Sequence, residues 1–163
     1  MAEQVRDPVH GARYSFQREG ENMTVDTWIE PGGGLPEHYH PIQEEHWSVV
    51  EGKIKFGLDG EKRVIGPEDG VMVVKPNAKH SLTSCSARDA HCRCEVMPAL
   101  GLEQFLTDSS AAAQEGLFIK GGIPKSLRGA RWAANFLKQH QEETVITFPP
   151  RIVQRAMIAM LAR

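Results

Sequence analysis

The chain has 163 residues, 40% of them hydrophobic and 25% charged, with a formal net charge of −2. That length suits one core of ordinary size in a soluble globular protein. The near-neutral balance removes the electrostatic case for DNA, RNA or an anionic membrane as partner, and no run approaches the ~20 apolar residues of a membrane span.

The first residues, MAEQVRDPVHGAR, are polar and hold Pro8 and Gly11. They read as a loose arm or as an edge strand lent to a partner subunit, and they lack the apolar centre of a secretory signal. From Tyr14 the pattern tightens. Met23, Val25, Thr27 and Ile29 alternate with Thr24, Asp26, Trp28 and Glu30, the period of a strand. Pro31-Gly32-Gly33-Gly34 breaks it, since glycines admit backbone conformations that side chains forbid.

The next segment alternates as well. His38 and His40 are two apart, so on an extended chain both rings share a face. After a turn at Pro41, Glu45, Trp47 and Val49 resume one strand face, and His46 and Glu44 take the other. Lys53–Leu58 is a further strand, closed by the turn signal Asp59-Gly60. Residues 63–65 reach a turn at Gly66–Gly70. Val71–Val74 is a continuous apolar run that predicts a buried strand. Lys75–Lys79 turns again, His80–Ser84 is a strand, and Cys92–Met97 is the last of the series. Many short strands with a turn every 8–12 residues predict a sandwich or barrel.

At Pro98 the character changes. Leu102, Phe105 and Leu106 give one helical face. Pro124 is placed to open a second helix, with Leu127, Trp132, Phe136 and Leu137 along one side. A last helix carries Ile152, Val153, Ala156, Met157, Met160 and Leu161 on a wide apolar face. The expected division is a β-barrel with its N-terminal arm over 1–98 and a helical extension over 99–163. That extension is expected to pack on the barrel or in a subunit interface.

Chemistry concentrates in His38, His40, Glu45 and His80. Three imidazoles and one carboxylate can complete the protein's share of a shell around a divalent transition metal. Five- or six-coordinate iron, manganese or nickel would keep open positions beyond them, and zinc suits a redox-neutral role. Other histidines (His10, His91 and His140) lack partners at useful spacing and are expected in solvent. Cys92 and Cys94 share a strand face and are expected as small buried hydrophobes. With Cys85 they make three cysteines without framework spacing, which points to a reducing, cytoplasmic setting. Trp47, Phe56 and Met72 are expected to line an apolar substrate pocket, while Tyr39 faces away.

The stretch Gly32-(x5)-His38-x-His40-(x4)-Glu45-(x6)-Gly52 resembles the first motif of the cupin superfamily, and Gly70-VMVVK-Pro76-NAK-His80 resembles the second. In the second motif Asn77 or Ala78 stands for the usual glycine, the histidine falls one residue early, and Ser84 replaces a common asparagine. The resemblance covers roughly residues 15–98. It implies a mainly β fold, a jelly-roll β-barrel with a metal in its mouth, often dimeric, here with a C-terminal α-helical extension. Carried over, the metal ligands are His38, His40, Glu45 and His80, with Glu45 also handling protons as the catalytic group.

The expected function is that of a metal-dependent enzyme, a dioxygenase-like oxidoreductase acting on a small organic molecule, working as a homodimer. Two alternatives stand beside it. One is a redox-neutral isomerase or lyase that uses the ion as a Lewis acid. The other is a non-catalytic small-molecule-binding module.

Overall fold

Alternation becomes strand wherever one face can be buried. The computed structural model describes residues 4–163. Strands β1 (Val5–Asp7), β2 (Ala12–Glu19), β3 (Asn22–Ile29), β4 (Gly34–Tyr39) and β5 (Glu44–Glu51) come first. Next follow β6 (Ile54–Leu58), β7 (Glu61–Ile65), β8 (Val71–Val74), β9 (His80–Ser84) and β10 (Ala90–Met97). The rest of the chain forms α1 (Leu102–Gln114), the short hairpin β11 (Phe118–Ile119) and β12 (Ile123–Pro124), α2 (Leu127–His140), β13 (Val145–Ile146) and α3 (Arg151–Leu161).

Two antiparallel sheets result, ordered β1-β2-β3-β10-β5-β8 and β13-β4-β9-β6-β7. They share one core, with Met23, Val25, Trp47 and Val96 from the first sheet and Ile54, Phe56, Ile65 and Leu82 from the second. Among the described residues the sheets are not joined into a closed ring of hydrogen bonds, so the jelly roll is a two-layered one. In β3 the alternation holds: Met23, Val25, Thr27 and Ile29 are buried.

Turn chemistry sets the register. Asp59 and Gly60 both have positive φ, 47° and 91°, as the two-residue turn between β6 and β7 requires. At Gly34 a Cβ would lie 2.0 Å from the Leu82 carbonyl oxygen. Glycine therefore serves close backbone approach here, beyond simple turn formation. In β4 the register against β9 shifts between Leu35 and His38, a bulge that sets His38 opposite His80. Bulges re-aim side chains in this way beside functional sites.

Several expectations need correction. Val71–Val74 is an edge strand with Val71 56% exposed and Val73 outward, because only one face of the sheet margin is covered. The second helix starts at Leu127 and not at Pro124, which pairs in β12. Ser126 caps that helix by accepting the Gly129 N–H at 3.2 Å, a stronger start signal than the proline. Leu127 is exposed. The N-terminal segment from residue 4 onward is neither a free arm nor lent away: β1 pairs with β2 of its own chain, and α1 packs on it. The first three residues lie outside the described residues.

Part of the apolar face of α3 points outward, with Ile152 79% and Met160 74% exposed, while Met157 and Leu161 are half-buried where α3 packs against α2. Gln154 is the one buried residue of that helix, because its amide donates to the Ile146 and Pro149 carbonyls at 2.8 and 2.6 Å. The extension reaches back to the β-structure through β13, which adds an edge strand beside β4.

Candidate metal centre

Three strands deliver the four donors. The β4 strand carries His38 and ends just before His40, β5 carries Glu45, and β9 begins at His80. The turn into β9 explains the departure in the second motif. Asn77 has φ 69° and follows Pro76, while the Ala78 N–H donates to Lys75 O at 3.0 Å. This is the turn with proline second and a positive-φ residue third, which asparagine tolerates in place of glycine. The Asn77 N–H also donates to the His40 carbonyl at 2.7 Å, tying the turn to the first motif.

One donor atom from each of His38, His40, Glu45 and His80 lies within 4.8 Å of every other. Two atoms bound to one ion at ~2.1 Å are at most ~4.2 Å apart, so the widest pair needs to close by roughly half an ångström. His40, Glu45 and His80 are buried and His38 is half-buried, which leaves the His38 side as the open one. The His40 Nε2 is 3.2 Å from Glu45 Oε1, and the His80 Nε2 is 2.8 Å from Glu45 Oε2.

The outer nitrogens decide what the inner ones are. Nδ1 of His38 meets Pro36 O at 2.8 Å, Nδ1 of His80 meets Ala78 O at 3.2 Å, and Nδ1 of His40 meets Glu143 O at 3.1 Å. A carbonyl oxygen accepts only, so each Nδ1 carries the proton and, in the neutral ring, each Nε2 presents a lone pair. Nε2 of His40 and of His80 is buried without a hydrogen-bond partner. Converging lone pairs beside a carboxylate repel unless a cation or protons lie among them. The donor set, its tautomers and its orphaned atoms thus fit a divalent transition ion.

Electrostatics follow from this crowding. Burial, then the neighbouring His80 and His40 charges, hold the His38 imidazole well below its usual range. Burial would also lower His40, but the Glu45 carboxylate outweighs it and raises the group. Burial would raise Glu45, yet His40 and His80 keep it well below the usual carboxylate range, so it stays ionised.

Trp47 lines a small cavity of about 30 Å³ beside His38 and Glu45, roofed by Leu102 and Leu106 of α1. Its indole N–H also donates to Glu45 Oε2 at 2.9 Å, a role that the apolar-lining expectation missed although the two residues are two apart on one strand. Phe56 is packed in the core and Met72 sits half-buried on β8 with its sulfur against the Arg63 guanidinium, and neither lines this cavity. Thr27, in contrast, does line it, with a buried hydroxyl that has no partner. A larger open groove of about 740 Å³ lies between the glycine-rich loop and the β11–β12 hairpin and contains none of the four donors.

Other histidines behave differently from the donors. His46 pairs with Glu44 at 2.7 Å on the outer face, His10 with Asp7 at 2.7 Å, and His91 with Asp26 at 2.7 Å. His140, expected in solvent, is buried against Phe105 and Phe136. Cys92 and Cys94 are buried free thiols. Burial pushes Cys92 up to about 12 and Cys94 well above its usual value, so both are inert packing groups.

A mainly β jelly roll with three histidines and a glutamate at its mouth defines a class of metal-site proteins. Residues 27–96 match the cupin domain family. A polyketide synthase CurC of Streptomyces cyaneus is 42% identical over 45 residues, covering 28% of this chain and 29% of the relative. An oxidoreductase of Arthrobotrys oligospora is 32% identical over 78 residues, covering 47% of this chain and 31% of the relative. The chain therefore spans less than a third of these relatives' lengths. An RmlC-like cupin from Shewanella frigidimarina shares the fold, with TM-score 0.54 and 23% identity over 61% of this chain and 86% of that one. No helix among the described residues is long and apolar enough to cross a membrane.

Proposed function

We propose that this protein is a metal-dependent oxidoreductase of the dioxygenase type acting on a small organic substrate. The observation that carries the reading is the convergence of three Nε2 lone pairs and one ionised carboxylate, each ring tied back through Nδ1. Two further supports are a relative named an oxidoreductase and the match to the cupin domain.

In this reading His38, His40, Glu45 and His80 hold iron, manganese or nickel. A redox-active ion held there supplies the one-electron chemistry that oxidation by dioxygen requires. Substrate approaches from the half-exposed His38 side, since the cavity beside Trp47 is far below the ~300 Å³ of an ordinary ligand pocket. Glu45 accepts the proton of a substrate hydroxyl, oriented by the Trp47 indole, and the buried position keeps bulk water from competing. The three free cysteines accord with a cytoplasmic address and the exposed sheet margins with a homodimer, both parts of the same proposal.

The test has two stages. His40→Ala is expected to lose most bound metal by elemental analysis while retaining a native circular dichroism spectrum. Unchanged stoichiometry would remove His40 from the metal's ligands. The wild-type protein loaded with iron, manganese or nickel is then expected to consume oxygen on a flavonol or catechol-like panel, and to lose that uptake with zinc. Turnover that persists with zinc and without oxygen would replace the dioxygenase reading with isomerase or lyase chemistry. A folded, metal-free protein that still binds a small molecule would replace it with a binding module.

A further inference from the structure

We infer that Thr144 is a positioning residue for His40, and that the segment 143–147 of the C-terminal extension is a working part of the metal centre. This rests on the metal reading above. His38 and His80 are braced locally, each by the carbonyl two residues earlier in the chain. His40 is not. Its Nδ1 lies 3.1 Å from the Glu143 carbonyl and 3.3 Å from the Thr144 hydroxyl, groups more than a hundred residues away in sequence.

Both partners are built to stay in place. Thr144 and His40 are buried, and the Thr144 N–H donates to His140 O at 2.9 Å, anchoring it to the end of α2. The Glu143 side chain accepts the Gly101 N–H at 3.2 Å, at the start of α1. Beyond Thr144, Val145 and Ile146 pair with Tyr39 and His38. Thr147 then donates from its N–H and its hydroxyl to Glu37 O, both at 3.0 Å. The extension thus grips the C-terminal half of the ligand-bearing strand, from Glu37 to Tyr39, and fixes which nitrogen of His40 faces Glu45. None of residues 143–147 falls in the segment that matches the cupin domain.

Orienting partners of metal-bound histidines set ring direction and basicity, and their loss weakens metal binding by ~10–100-fold. The experiment compares Thr144→Val, Thr144→Ser and His40→Ala with wild type, using Co²⁺ as the probe in chelator competition. In parallel, ¹⁵N–¹H correlation of the imidazole nitrogens reads the His40 tautomer in the apo protein. Thr144→Val is expected to weaken Co²⁺ binding by ~10-fold or more and to broaden or shift the His40 Nδ1–H signal, with Thr144→Ser restoring both. Should Thr144→Val lose the native fold, Thr144→Ala removes the hydroxyl without adding bulk and is read in the same way.

Thr147→Val, which keeps the backbone N–H bond to Glu37 O and removes only the hydroxyl bond, serves as the control for a lost tie to β4 away from His40. It should lower the melting temperature and leave the His40 tautomer in place. Wild-type affinity in the Thr144 variant, with His40→Ala having lost Co²⁺, overturns the positioning role and leaves the metal site intact. Weakened binding with an unchanged His40 signal and a lowered melting temperature also overturns it, as mere loss of structure. Retained Co²⁺ in His40→Ala overturns the metal reading itself.

Discussion

His140 illustrates how a side chain acquires a property that its neighbours in sequence do not show. It sits in the last turn of α2, where a protonated imidazole would suit the helix end. Instead it packs 4.7 Å from the Phe136 ring and 5.3 Å from Phe105, its Nε2 without a partner. Burial lowers its pKa, with Glu143 and Asp108 opposing in part. The unfolded imidazole titrates near 6.5, so below that pH the unfolded state binds more protons than the folded one. This contribution to stability is complete above about pH 6.5 and is lost as pH falls toward the lower folded value. The urea midpoint of His140→Phe should therefore fall less than that of wild type between about pH 7.5 and about pH 5.5. An equal fall in both would mean that His140 is solvated. The donors His38 and His40 were readable because two-residue spacing on a strand is a local rule. The brace on His40 was not, since nothing near Glu143 or Thr144 signals a partner at residue 40.

Strand β4 shows how an element is defined by what passes close to it. Gly32, Gly33 and Gly34 read as a turn, and Gly32 does take a positive φ of 72°. Gly34 has a different reason, because the Leu82 carbonyl occupies the place of its Cβ. Gly34→Ala should destabilise the protein by at least ~2 kcal/mol, since backbone must move to admit the methyl group. It should also loosen the metal donors, because Gly34 starts the strand that carries His38. A denaturant titration within ~0.5 kcal/mol of wild type would show that the approach relaxes freely. The strands with strict alternation, β3 and β5, were legible from period alone. Strand β8 was not, because four consecutive apolar residues say nothing about which sheet position they will take. Its place at a margin comes from pairing with β5 on one side only.

Across the whole molecule, a net charge of −2 averages over an uneven distribution. Residues 116–163 carry eight of the nineteen Lys and Arg residues but two of the twenty-one Asp and Glu residues. The basic segment also holds the outward apolar side chains of α3 and Phe148, which is 70% exposed. Composition alone therefore excluded less about this end of the chain than about the β-sandwich. Exposure predicts that Ile152→Ser changes stability by no more than ~0.5 kcal/mol. A loss of 1–2 kcal/mol that shrinks on dilution would show that the α3 face is covered by a second copy in solution.

The sequence by itself determined the strand series, the tight turns and the spacing that sets two imidazoles on one face, since period and turn chemistry act within a few residues. Tertiary structure alone decided that the extension returns through β13 to hold His40. It also decided that Gln154 is the buried residue of α3 while Ile152, Val153 and Met160 of its apolar stripe stay exposed. Both outcomes depend on which surfaces meet after distant segments dock. That choice is made by shape, buried hydrogen bonds and the carbonyls left free on β4, none of which is written in a local pattern.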